Sequence, residues 1–313
     1  MAGYERNLVL VHTQNLQARS DFETIREKLA ERATEIEVFI VNNDIPNSVT
    51  RREAARRPAV VFSPVPLRQF VPQRGRVYAG CVYSKMEQVE RLAAAARRVP
   101  EAVMITPATR LDEKVWGAFT VVKPNRGRQG GGVSLRRTRD VCWVDPQSWP
   151  RDDARCGEEL LAQKFVDTGP LATSYRVMTV FGRAVYSAKS RQKHSPQVDM
   201  ATLDERQSFH MPIASNSGDR TLALNYEPDI LAFGSNVAGV FPEAPALGVD
   251  IIRDHASGAL YVLEVNASGL VWHISSGYGL VMQHKYGVDF QGQFGALDII
   301  ADALIDVARR EAE

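Results

Sequence analysis

The sequence predicts an α/β protein, with a small parallel α/β unit at its start followed by antiparallel α+β structure. Three observations carry this. Apolar runs alternate with helix-period segments from Leu8 to Phe62, the pattern of a parallel sheet with crossover helices. Later apolar runs are joined by tight glycine turns, the pattern of hairpins. A length of 313 residues, 44% hydrophobic and 24% charged, suits a soluble chain of about two domains.

The elements follow in order. Leu8–His12 reads as a buried strand, and Asp21–Ala33 as a helix with Phe22, Ile25, Leu29 and Ala33 on one face and Asp21 as its N-cap. Glu37–Val41 and Ala59–Phe62 are strands around a short basic helix, Val49–Arg57, stopped by Pro58. Ser84 caps a helix over Lys85–Arg98, which ends before Pro100. Val103–Thr106 is a strand, and Phe119–Lys123 and Val133–Arg136 pair around a glycine-rich tip. Leu161–Val166, Tyr175–Phe181 and Arg183–Ser190 are antiparallel strands, with Gly182 turning the last two. His194–Asp219 is a polar loop and Pro228–Val240 a helix. Gly248–Arg253 and Ala259–Val265 form a hairpin, and Leu297–Arg309 closes the chain as an amphipathic helix.

Charge and cysteine use narrow the function. With 38 Lys+Arg against 37 Asp+Glu the net charge is +1, which argues against a nucleic-acid coat or a polybasic membrane binder. No apolar run reaches the ~20 residues of a membrane span. Cys81, Cys142 and Cys156 form no ligand or disulfide pattern, so a reducing, cytoplasmic setting is expected.

Two segments carry chemistry. In Lys123-Pro-Asn-Arg-Gly127-Arg-Gln129-Gly130-Gly131-Gly132, four glycines leave backbone N–H groups open to cradle phosphates, and Lys123 can reach the same anions. Lys123, Arg126, Arg128, Arg136, Arg137 and Arg139 stand there without an acid among them, which suits a polyanion. In the second segment, Glu264 and Asn266 lie two apart on one strand and share a face, with Asp250 on the neighbouring strand. Two carboxylates and an amide oxygen beside phosphates are the donor set of a magnesium site completed by the substrate.

These segments, in this order, resemble the ATP-grasp superfamily, closest to its ribosomal-protein glutamate ligase and glutathione synthetase-like branch. The resemblance implies two α+β lobes clamping ATP behind the N-terminal unit, divided as 1–84, 85–166 and 167–313. It implies that Lys85 and Lys123 bind phosphates under a flap at 127–132, and that Gln163, Lys164, Phe165 and Val166 form the adenine hinge. Asp250, Glu264 and Asn266 would be the metal ligands, and Arg191 and Arg176 would stabilise the reacting phosphoryl group. His194, Ser268 and His273 are candidate substrate contacts.

The implied activity is an ADP-forming carboxylate–amine or carboxylate–thiol ligase working through an acyl phosphate. It would use ATP and Mg²⁺, two ions, with Mn²⁺ as a substitute. Its substrates would be small-molecule or peptide carboxylates and amines, of acidic character, and the assembly a homodimer. A kinase acting on a hydroxyl and a non-catalytic nucleotide-binding module are the rival readings. The chain departs from the family pattern at Lys164 (usually an acid), at Ser174 (usually an acid), and at Gly269, where a proline is usual. The segment 192–218 does not match the substrate loop of the glutamate ligases.

Overall fold

The computed structural model describes residues 3–127, 130–193 and 219–313. Four strands, β1 (Arg6–His12), β2 (Ile36–Asn42), β3 (Ala59–Ser63) and β4 (Arg76–Ala79), form a parallel sheet in the order β2-β1-β3-β4. Helices α1 (Arg19–Arg32) and α2 (Ser48–Ala54) make the crossovers. Helix α1 starts two residues before the predicted Asp21, with Ala18 at its cap position. Asp21 is buried instead, accepting hydrogen bonds from Trp272 Nε1 at 2.7 Å and Ser275 Oγ at 2.6 Å.

The next sheet is antiparallel. Helix α3 (Lys85–Ala94) precedes β5 (Ala102–Met104), α4 (Glu113–Trp116), β6 (Phe119–Pro124), β7 (Ser134–Arg137) and β8 (Leu160–Lys164), ordered β5-β8-β6-β7. Ser84 caps α3 as expected, its Oγ accepting from Glu87 N. The helix ends at Ala94 rather than Arg98, and Ala96 turns the chain with φ +53°. Strand β8 stops at Lys164, so Phe165 and Val166 lie beyond it rather than within the predicted strand.

The largest sheet holds β9 (Thr173–Val180), β10 (Arg183–Gln192), β11 (Arg220–Leu224), β12 (Ala246–Arg253) and β13 (Leu260–Asn266), ordered β11-β10-β9-β12-β13 and antiparallel throughout. Helix α5 (Pro228–Val237) packs on one face. Helices α6 (Gly277–Tyr286) and α7 (Ala296–Glu311) follow β13. Phe181 and Gly182 make the β9–β10 turn with φ +46° and +79°, the twist a two-residue hairpin needs. Phe181 tolerates that backbone while its ring packs edge-on against Tyr78, centroids 5.1 Å apart.

Each predicted segment carries one sheet, yet the helices cross between them. The main core joins Leu8, Phe22 and Phe62 of the first unit to Met178, Tyr186, Trp272, Ile300 and Leu304. Helix α7 thus reaches back from the C-terminal segment onto α1 and β1. Leu92 of α3 buries into the core of the largest sheet, with Val177, Ile230 and Phe241. Among the described residues no helix is long and apolar enough to cross a membrane.

Candidate active site

The site is built on a row across three strands. Arg176 on β9 stands opposite Asp250 on β12, which stands opposite Glu264 on β13. Residues paired in this way share a face of the sheet. Arg176 donates to both Asp250 oxygens, each at 2.7 Å, a fork-to-fork geometry. Asn266, two residues beyond Glu264, donates its Nδ2 to Asp250 Oδ2 at 3.0 Å. Burial acts against the charge on Arg176, but the Asp250 carboxylate more than offsets it and holds the guanidinium pKa above its usual value.

The lysines approach from the second sheet. Asn125, just past β6, caps the start of α3: its O accepts from Lys85 N and its Oδ1 from Met86 N, each at 2.9 Å. This cap joins the glycine-rich hairpin to the helix that presents Lys85. Lys85 Nζ lies 3.6 Å from Glu264 Oε1 and 3.2 Å from Gly127 O. Lys123 is buried, and desolvation pushes its ammonium down to about 8, with Glu264 opposing and Lys85 reinforcing the shift. Lys85, Lys123, Glu264, Asp250, Asn266 and Arg176 therefore converge.

Of the expected phosphate flap, Gly127, Gly130, Gly131 and Gly132 are described, while Gln129 lies outside the described residues. Of the residues expected at the adenine hinge, Gln163 is buried with its Nε2 3.3 Å from Pro100 O. Lys164, where the resemblance leads one to expect an acid, pairs with Glu101 at 2.7 Å. Phe165 and Val166 are half-buried beyond the strand end.

Strand β13 leaves the site through Ala267, Ser268 and Gly269, which lie against the ends of β3 and β4. Cys81 N donates to Ala267 O at 2.9 Å. Gly269 has φ +82°, and a Cβ there would fall 2.2 Å from Val65 Cγ1 and 2.7 Å from Pro64 O. Proline, fixed near φ −65°, cannot adopt this backbone, which accounts for its absence. Ser268 is half-buried here.

Beside the Arg176–Asp250 pair lies a cavity of about 50 Å³, room for a few waters. His273 lines it, buried, its ring stacked on Tyr186 with centroids 6.0 Å apart. Burial first, then the Arg176 charge, push its imidazole down to about 3, so His273 is neutral at ordinary pH. His194 lies outside the described residues.

Arg191 and Arg176 are not brought together. Carried on from the Phe181–Gly182 turn, a regular hairpin would put both on one face. A bulge between Ala184 and Tyr186 shifts the register by one, so Arg176 pairs with Ala188 and Arg191 with Thr173. A one-residue shift exchanges faces, and Arg191 is exposed on the side away from Asp250. The arginine on the cavity side is Arg220, at the start of β11, buried and 3.3 Å from Ser190 Oγ. It follows a long polar stretch, and its one sequence signal is the alternation Thr221-Leu222-Ala223-Leu224 behind it.

The donor set suits a magnesium–phosphate complex. Glu264 offers a carboxylate that pairs with Lys85, and Asn266, with Nδ2 committed to Asp250, has its carbonyl oxygen to offer. Among the described residues no cluster of three or more His, Cys, Asp or Glu could hold a metal, so a cation here would share phosphate oxygens.

No protein-family model matches the sequence, and no curated protein does. Solved structures do match in fold. The ATP-grasp ligase PsnB with precursor peptide PsnA2 and AMPPNP is 14% identical, matched over 97% of this chain and 98% of that one with a TM-score of 0.52. PsnB with minimal precursor, Mg and ADP is 15% identical over 97% and 98%, with a TM-score of 0.51. D-cycloserine synthetase DcsG is 18% identical over 96% and 99%, with a TM-score of 0.50. With its three sheets matched along almost the whole length, this chain has the ATP-grasp fold.

Proposed function

We propose that the protein is an ATP-dependent carboxylate ligase that forms ADP and joins the activated carboxylate to an amine or thiol. The observation that carries this is the convergence of Lys85 and Lys123 on the row Arg176–Asp250–Glu264. Cations and hard oxygens alternate there as a magnesium nucleotide requires. In the reaction, a carboxylate oxygen attacks the γ-phosphorus and the bond to ADP breaks. The amine or thiol then attacks the acyl carbon, phosphate leaves, and the nucleophile's proton goes to solvent.

The protein's part is positioning and neutralisation. Lys85 and Lys123 orient the phosphates, and the loop at 127–132 covers them and excludes water. Arg176 faces the reacting groups, held in place by Asp250. Arg191, on the other face, has no such path to them. Glu264, Asn266 and Asp250 would hold Mg²⁺, two ions or Mn²⁺ in its place, to polarise phosphate oxygens. The segment Gln163–Val166 would seat adenine.

PsnB is complexed with a precursor peptide and DcsG is a D-cycloserine synthetase, which leaves peptide and small-molecule substrates both in range. Three free cysteines support a reducing, cytoplasmic setting.

The test is ADP release with Mg²⁺ over a panel of carboxylates, each with and without amines. Free phosphate should appear when both partners are present, whereas phosphate retained on one substrate would mean a kinase. Lys123→Ala and Glu264→Ala should each cost at least about 10²-fold. Wild-type turnover in either variant would overturn the assignment.

A further inference from the structure

Strand β13 carries Glu264 and Asn266, and it lies at the edge of its sheet. An edge strand leaves a row of N–H and C=O groups with no strand to pair with. Here residues 81–98 cover that row. Cys81 N donates to Ala267 O and Val262 N to Arg98 O, each at 2.9 Å. Both contacts run from backbone to backbone, so the identity of the side chains does not enter.

Between them the cover changes in kind. Val265, which separates Glu264 from Asn266, donates its N–H to Gln88 Oε1 at 2.7 Å. This contact depends on a side chain. Gln88 is buried, and its Nε2 stands 3.5 Å from Tyr83 O, so the oxygen is the end turned to the strand.

The place of Gln88 on α3 matters as much. Lys85, Gln88 and Leu92 stand at i, i+3 and i+7, one stripe of the helix. Leu92 and Val265 belong to one core, Gln88 holds the Val265 N–H, and Lys85 Nζ lies 3.6 Å from Glu264 Oε1. Leucine or methionine would fill a packing position here without a buried amide. Burying an amide costs free energy unless its polar atoms are bonded, and so does a buried N–H that loses its acceptor.

We propose that Gln88 is a positioning residue, which fixes the spacing of Glu264 and Asn266 from Lys85 and thereby the fit of a cation shared with the nucleotide phosphates. This rests on the ligase reading above, because it takes Glu264 and Asn266 to be the protein's oxygen donors to Mg²⁺. Gln88 touches neither the nucleotide nor the cation. It acts through the Val265 peptide, from which the two side chains are hung on either side. Without the acceptor, the middle of the edge is free to move while both ends stay tied.

The experiment is titration calorimetry of AMPPNP into the full chain over a series of Mg²⁺ concentrations. Gln88→Leu keeps the bulk and removes the acceptor. It should raise the Mg²⁺ concentration needed for half-maximal affinity by about tenfold, the scale of losing a group that orients a metal ligand. Gln88→Glu keeps an oxygen in the same place and should return the requirement to within about threefold of wild type. Leu29→Ala, in the core of the first unit, should lower thermal stability yet leave the requirement within about twofold. Should Gln88→Leu fail to fold, Gln88→Met, whose sulfur is only a weak acceptor, replaces it. An unchanged Mg²⁺ requirement in the variant without an acceptor overturns the proposal. So does an equal shift in Leu29→Ala, or no recovery in Gln88→Glu. A wild-type protein that binds no AMPPNP, or binds it without regard to Mg²⁺, overturns the ligase reading and the positioning role with it.

Discussion

The two faces of the β9–β13 sheet carry the same kinds of ion pair to different ends. On one face Arg176 grips Asp250, with only 21% and 18% of their side chains exposed, beside a cavity and two approaching lysines. On the other, Arg253 bridges Glu227 and Asp229, and Lys189 pairs with Glu227, at the solvent rim of a face packed on α5. The pairs are alike in distance, near 2.7–3.0 Å. What differs is burial and the presence of a space for another molecule. Pairing alone says little about function; pairing next to a walled space, with further charges aimed at it, says much.

That contrast can be broken by experiment. The largest effect should come from Asp250→Asn, which strands Arg176. Loss of about 3 kcal/mol or more is expected by urea unfolding. A loss no larger than for the rim pair would erase the distinction.

Gly269→Ala comes next. The new Cβ meets Val65 and Pro64, and the backbone stays left-handed. We expect about 2–3 kcal/mol of destabilisation in the same assay, with weakened nucleotide binding, because Gly269 sits three residues past Asn266.

A pH titration probes Lys123. Its folded pKa near 8 lies below that of the unfolded chain. Above pH 8 the site loses a cation, so Mg-ATP affinity should fall by up to about tenfold per unit. The stability of the unliganded protein should move the other way. Between pH 8 and the unfolded pKa, the unfolded chain holds a proton the folded chain has released, so stability rises with pH. Affinity that stays flat from pH 7 to 9.5 would remove Lys123 from the phosphate contacts.

On the rim, Asp229→Asn should cost less than about 1 kcal/mol. Smallest of all, Arg191→Gln should leave ADP release within about twofold, since its side chain is exposed on the outer face. A hundredfold loss would place Arg191 in the site after all.

Much of this was legible in the sequence because the signals were local. The first three strands and α1 announce themselves by period, and Lys123, Glu264 and Asn266 by spacing within single strands. Asp250 follows once its strand pairs with the next. The elements without a sequence signal are short or irregular. Strand β4 has four residues and an exposed Val77 on a sheet edge, and α6 holds two glycines in ten positions. Strand β11 emerges from a polar stretch with no flanking pattern.

The arginines show the deeper limit. Whether Arg191 or Arg220 faces the site depends on one extra residue near Val185, and a bulge leaves almost no mark in a sequence. Asp21 departs from its expected role for a different reason. An acid at a helix start is most simply a cap, and its true partners, Trp272 and Ser275, lie more than 250 positions away.

That same Asp21 has a consequence for how the molecule comes apart. It ties the first turn of α1 to the loop that follows β13, and α7 lies over the same core. The two ends of the chain are thereby stitched into one cooperative block. The β5–β8 sheet keeps its own small core of Ile105, Trp116, Val122, Val141, Leu160 and Ala162, sharing none of these residues with the rest. On warming, that lobe should melt first, and a protease should nick it while the block holds. A nucleotide spanning both would weld them, merging two transitions into one.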